Sequence, residues 1–308
     1  MTLSDKSSKL KKYASYASIF CSVMLIVVKF IAFIKTDSLA IFSSFVDSIT
    51  DFIASLVSGI AVYYAMKPAT YYHRYGFGKS EALSALLQAI FVGVSGLFVV
   101  FDGINRLFNP VDVVKTEVGI YIMIFSIFST FLLVAFQSYV AKKTNSLAIK
   151  SDMAHYVVDF LTNATVIISL VLVKNFGFIY FDVIAALFIS VYLIISAYKL
   201  GKESIEQITD KELDDEIRKN IEDIVIKCCD VGGMHDLRTR SVGDIFYIEL
   251  HLEIDGKISL SDAHKISDNV EEKILAIYPK SQILIHQDPV GVKEDRLDNQ
   301  INGYCNII

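Results

Sequence analysis

The chain has 308 residues, of which 53% are hydrophobic and only 20% charged, with a net charge of -5 at pH 7. Average soluble domains carry about 25% charged residues, and the mean hydropathy here is +0.48, which argues against a wholly soluble protein. The mild charge, with no basic stripe, gives no basis for nucleic-acid binding.

The apolar excess is uneven. Residues 13–200 hold long apolar runs and residues 201–308 read as a soluble domain, so a membrane part precedes an aqueous one. A spanning helix needs about 20 mostly apolar residues, and six candidates lie near 13–34, 39–66, 82–108, 116–141, 147–173 and 179–199. The first is too long for a signal-peptide core and has no small-residue cleavage site after it. An even number of spans puts both termini on one side. Lys6, Lys9, Lys11 and Lys12, then Lys67, Arg74 and Lys79, then Lys142, Lys143 and Lys150, then Lys199 and Lys202 fall on that same side. The positive-inside rule makes it cytoplasmic. Lys29, within the first span, is expected to snorkel or to pair inside the bundle.

Residues 1–12 read as a cytoplasmic tail, 13–209 as the membrane domain, 210–292 as a cytoplasmic domain and 293–308 as a flexible tail. In the cytoplasmic domain, helical spacing over 211–226 is followed by two strands around Val242-Gly243-Asp244. A helix over 261–278 with Ser261 as its cap, and a last strand in SQILIHQD, complete it. The order αββαβ predicts a small α+β domain with helices on one face of a sheet. Cys21, Cys228, Cys229 and Cys305 form no CxxC pair and read as reduced thiols.

The second span contains FVDSITDFIAS and the fifth SDMAHYVVDFLTNA. Asp47 and Asp51 are four residues apart, as are His155 and Asp159, so each pair shares one helix face. A charge at a bilayer centre costs about 2.5–3.5 kcal/mol even on insertion scales. A divalent cation held by the three carboxylates and the imidazole removes that cost, and such ligands release an ion more readily than thiolates. A structural hydrogen-bond network, or a proton relay without metal, is the competing reading. Of six histidines, His235, His251, His264 and His286 fall in the cytoplasmic domain, and Asp288 shares a strand face with His286. They suggest a second metal cluster.

Several stretches together resemble the cation diffusion facilitator family, in its bacterial zinc and ferrous-iron efflux branch. They are SLAIFSSFVDSITDFIAS, HRYGFGKSEALSAL, SDMAHYVVDFLTN, HDLRTRSVGD, SLSDAHKISDNVEEKI and ILIHQDP, spread from about residue 10 to 292. The resemblance implies a homodimer in the inner (plasma) membrane that exchanges Zn2+, or Cd2+ or Fe2+, for protons by alternating access. It implies a transport site on Asp47, Asp51, His155 and Asp159. It also implies a binuclear zinc site on His235, His251, His264, His286 and Asp288, with Gln287 a weaker candidate, in a metallochaperone-like, ferredoxin-like αββαβ domain. A loop site known in the branch falls on Thr70, His73 and Phe77, of which only His73 is a good ligand, so that site is expected to be weak or absent. Lys79 and Asp210 match positions that pair at the membrane–cytoplasm junction. A membrane-anchored metal sensor and an intramembrane metalloenzyme are the alternatives. An anchor needs no buried ligands, and the chain has no HExxH motif.

Overall fold

The computed structural model describes residues 3–36, 39–108, 117–176, 181–292 and 296–301. Residues 1–2 of the expected N-terminal tail, the first residues of the expected fourth and sixth spans, and 293–295 and 302–308 of the expected C-terminal tail, with Cys305, lie outside the described residues. The chain divides into two compact units at Ile208/Thr209.

The first unit is built from α1 (Leu3–Thr36), α2 (Leu39–Ala65), α3 (Lys79–Phe108), α4 (Glu117–Thr144), α5 (Leu147–Phe176) and α6 (Phe181–Ile208). Among the described residues, five of these helices, all but α5, carry a stretch long and apolar enough to cross a membrane. Helix α5, 30 residues long, is also long enough but carries Lys150, Asp152 and Asp159 in its first half. Helix α1 begins ten residues before the expected span, so most of the segment read as a tail is helical.

The polarity of this unit is inverted relative to a soluble protein. On α1, Tyr13, Tyr16, Phe20, Val27 and Phe30 are exposed, while Ser15, Ser18, Ser22 and Lys29 are buried. Hydrocarbon solvates the apolar outside, and polar side chains find partners only inside the bundle. Lys29 pairs within the bundle, donating to Ser48 Oγ at 2.6 Å and to the Ser44 carbonyl at 3.1 Å. Helix α1 packs along α2, α3 along α6 and α4 along α5.

The second unit contains α7 (Asp215–Ile226), β1 (Gly233–Val242), β2 (Ile245–Ile254), α8 (Leu260–Ile277), β3 (Ser281–Pro289) and a single turn, α9 (Leu297–Gln300). The sheet order is β1-β2-β3, with β1 antiparallel and β3 parallel to β2. Gly243, at φ 64, turns the β1–β2 hairpin. A parallel return requires a crossover, and α8 supplies it. On β2, Ile248, Leu250, Leu252 and Ile254 pack against Ile221 and Val225 of α7 and Val270 and Ile274 of α8. Helix α8 is capped by Ser259 rather than Ser261. The Ser259 backbone is still extended, and its Oγ accepts the Asp262 N–H at 3.2 Å. Within the segment read as a flexible tail, Leu297–Gln300 form α9, which lies against β1.

Candidate functional site

Two groups of potential metal ligands occur among the described residues, one in each unit: Asp51, His155 and Asp159, and His235, His251 and Asp288.

In the first, the four-residue spacing on α5 stacks His155 and Asp159 on one face, opposite Asp51 of α2. His155 Nε2 lies 2.9 Å from Asp51 Oδ1. One ligand atom from each of the three residues falls within 4.8 Å of the others. Asp159 Oδ2 is buried with no hydrogen-bond partner. An orphaned buried carboxylate oxygen is costly, and a cation between these residues would satisfy it. Two carboxylates and an imidazole are oxygen and nitrogen donors suited to zinc-like ions. Asp47, one turn earlier on α2, is exposed and stands outside the group.

Sequence reasoning missed Asp152, three residues before His155. It is buried, with its carboxylate accepting from Ser18 Oγ at 2.5 Å, Ser55 Oγ at 3.1 Å and Gln137 Nε2 at 2.6 Å. Tyr156 Oη sits 2.8 Å from Ser55 Oγ. This network ties α1, α2, α4 and α5 together beside the ligands. An acid within an apolar run was the available signal. Also missed was a buried ion pair, Lys11 Nζ to Glu81 Oε1 at 2.9 Å, with Ser146 Oγ donating to the other carboxylate oxygen.

The second group is arranged by sheet register. His235 faces His251 across β1–β2, and His251 faces His286 across β2–β3. The rings form a row with centroids 4.9 and 4.7 Å apart. Asp288 joins them: Oδ2 lies 2.8 Å from His251 Nδ1 and 3.7 Å from His235 Nε2, and Oδ1 lies 3.2 Å from His286 Nε2. The placement of His235 depends on a bulge. The register shifts between His235 and Arg238, with Asp236 at φ 51. One extra residue reverses the alternation, so His235 joins the histidine row while Leu237 enters the helix-side core.

Glu253, neighbouring Asp288 in register, extends the cluster, with Oε1 at 3.1 Å from His235 Nδ1. Burial alone would push the Asp236 carboxyl up. The amides of Leu297 and Asp298, with His235 and His251 nearby, instead hold it below the usual carboxylate range. Two candidates are not gathered in. His264 is exposed on α8, 3.6 Å from Asp268. Gln287 turns to the helix side and donates to Ser267 Oγ at 2.8 Å. The donors that do meet, imidazoles around a two-oxygen carboxylate, fit a divalent ion.

In the loop after α2, the His73 ring packs on Phe77 with centroids 4.5 Å apart. At the end of the first unit Lys79 Nζ donates to the Ile208 carbonyl at 3.1 Å, and in the second Arg240 Nη1 reaches Asp210 at 3.2 Å.

Both units of the chain match known proteins. The model of the cation efflux transmembrane domain matches residues 15–209, and that of the cation efflux protein cytoplasmic domain matches 213–290. The cation-efflux pump FieF of Serratia proteamaculans is 38% identical over 285 residues, 92% of this chain and 95% of the relative. Protein p34 of Rickettsia rickettsii is 38% identical over 290 residues, 94% of this chain and 96% of the relative. Among solved structures, the metal-bound C-terminal domain of the CzcD transporter from Thermotoga maritima is 29% identical, with a TM-score of 0.25. It covers 26% of this chain and 93% of its own. With both domains matched and relatives aligned over more than nine tenths of its length, this multi-pass membrane protein belongs to the cation diffusion facilitator family of cation-efflux transporters, in its FieF-like branch.

Proposed function

We propose that the protein exports divalent transition-metal ions from the cytoplasm in exchange for protons, with Zn2+ the first cargo and Cd2+ and Fe2+ alternatives. The reading rests on one observation above all: Asp51, His155 and Asp159 converge from two helices inside an apolar bundle, with a carboxylate oxygen left unsatisfied. Relatives called cation-efflux pumps support the direction of transport. Both termini are then cytoplasmic, in the inner (plasma) membrane, and the protein works as a homodimer.

Asp51, His155 and Asp159 bind the cargo, and Asp47 completes the set as α2 and α5 shift between inward- and outward-open states. A ligand must lose its proton to bind metal. An imidazole does so within the physiological range of pH, so His155 is the residue where metal leaving and a proton arriving are coupled. The burial cost of the carboxylates disfavours a state with neither ion nor proton, and that is what links the two fluxes. In the cytoplasmic domain His235, His251, His286 and Asp288 would hold zinc, which adds binding energy to the folded domain and its dimer.

Flux of Zn2+, Cd2+, Fe2+ and Mn2+ into proteoliposomes under an imposed pH gradient tests this, with a metal-sensitive dye inside. Proton-dependent flux that disappears in Asp51→Ala and His155→Ala is the expected result. Folded wild-type protein that moves none of these ions would rule transport out.

A further inference from the structure

We infer that the C-terminal turn Arg296-Leu297-Asp298 is a working part of the cytoplasmic cluster, positioning His235 for metal, so that metal binding and docking of this turn reinforce each other. The inference rests on the reading above that the cluster holds a metal ion.

Two independent sets of contacts carry it. The first holds the bulge. Asp236 is in the left-handed region at φ 51, which among residues with a side chain Asp and Asn visit most readily, through local hydrogen bonds, and its conformation is what aims His235 away from the core. The turn pins it on three sides. The Asp236 N–H donates to Asp298 Oδ2, and the Asp236 carboxylate accepts the N–H groups of Leu297 and Asp298, each at 2.9 Å.

The second set holds the imidazole. Arg296 Nη2 donates to Glu253 Oε1 at 2.5 Å, and the same oxygen lies 3.1 Å from His235 Nδ1. A carboxylate only accepts, so Nδ1 is the ring nitrogen that donates to Glu253, and Nε2, 3.7 Å from Asp288 Oδ2, is the one that faces the cluster. This is the arrangement by which carboxylates orient metal-binding histidines. Gly233 makes room for it, since a Cβ there would stand 3.2 Å from Glu253 Oε2. Arg296, Glu253 and Asp298 are therefore positioning residues acting through His235.

The turn lies beyond the cytoplasmic-domain model, which ends at residue 290. If it raises zinc affinity, zinc must stabilise its docking by the same factor.

The test uses the full-length protein in detergent, carrying Asp51→Ala so that zinc reports on the cytoplasmic cluster. Zinc affinity is measured by competition with a chelating dye, and amide exchange is followed in the peptide spanning 296–301. Glu253→Ala should weaken zinc binding by about 10–100-fold, the usual range for an outer-shell partner. Asp298→Ala and Arg296→Ala should also weaken it, while Asp298→Asn, which keeps an acceptor oxygen, retains most of the affinity. Zinc should slow exchange at Leu297 and Asp298, and should not do so in His235→Ala. Unchanged affinity in Glu253→Ala and Asp298→Ala, with His235-dependent binding intact, would overturn the inference alone. So would faster exchange at the turn when zinc is added to the otherwise native protein, a readout that needs no variant of the turn itself. Zinc binding that ignores His235→Ala would overturn the metal reading of the cluster and the inference with it.

Discussion

Asp51 and His155, separated by 104 positions in the chain, meet at 2.9 Å and join α2 to α5 at the candidate transport site. A ligand that binds the folded state at 100 times its dissociation constant adds about 2.7 kcal/mol of stability. Zinc should therefore raise the unfolding temperature of the detergent-solubilised protein. In His235→Ala, where the cytoplasmic cluster is disabled, the remaining rise should disappear on adding Asp51→Ala or His155→Ala. A rise that persists would place the membrane-domain ion elsewhere.

Asp152 offers a separate test, because its carboxylate satisfies three neutral donors from three other helices. Each buried donor left without an acceptor costs about 1–3 kcal/mol. Asp152→Ala should destabilise the bundle by about 1–3 kcal/mol on that basis, because Gln137 loses its acceptor while Ser18 Oγ can still donate to Ser55 Oγ and Ser55 Oγ to Tyr156 Oη, each at 2.8 Å. Asp152→Asn, which keeps one acceptor oxygen, should fall between. Metal-free thermal unfolding ranks the three proteins, and equal stability of Ala and Asn variants would show that the network is not what holds these helices.

The Lys11–Glu81 pair is buried on both sides, with side-chain exposures of 6% and 2%. Removing one partner of such a pair costs about 3–5 kcal/mol, because the other charge stays buried and unpaired. Glu81→Leu and Lys11→Met should each be strongly destabilising, and the double variant should recover most of the loss. Additive losses in this cycle would contradict a direct interaction.

Gly96 sets the approach of α3 to α6. A Cβ there would lie 3.1 Å from Ile194 Cγ1 and 3.2 Å from Leu193 Cβ. Small residues at helix crossings allow this closeness. Gly96→Leu should cost about 1–3 kcal/mol or more through overpacking, visible as a lower unfolding temperature.

His73 lies exposed in the loop after α2, stacked on Phe77, outside both groups of candidate ligands. His73→Ala should leave zinc stoichiometry and flux unchanged. A lost equivalent of bound zinc would establish a third site.

Much of this was legible in the primary structure because it obeys short periods. The apolar runs of about 20 residues mark helices for a membrane thickness, the period of two in Phe246–Ile254 marks a half-buried strand, and the four-residue spacings put ligands on single helix faces. The hairpin at Gly243 was readable for the same local reason. Asp152 was not, since a lone acid near a span's end has the same signature whether it is solvated or held by three distant donors. Glu253 read as one more polar-face residue of β2. The cap of α8 was misplaced by two residues because Ser259 and Ser261 are both capable caps, and only the backbone turn chooses between them.

The sequence by itself determined the division into membrane and aqueous parts, the elements of each and the residue types able to hold a divalent ion. These follow from burial energetics and side-chain chemistry, which act over a few residues. Only the tertiary structure decided which of those residues meet. It brought His235 beside His251 and Asp288 through a one-residue bulge, left His264 and Asp47 apart, and folded the C-terminal turn back onto the cluster. Such choices depend on register and on contacts between segments far apart in the chain, where a shift of one residue sends a side chain to the other face of the sheet.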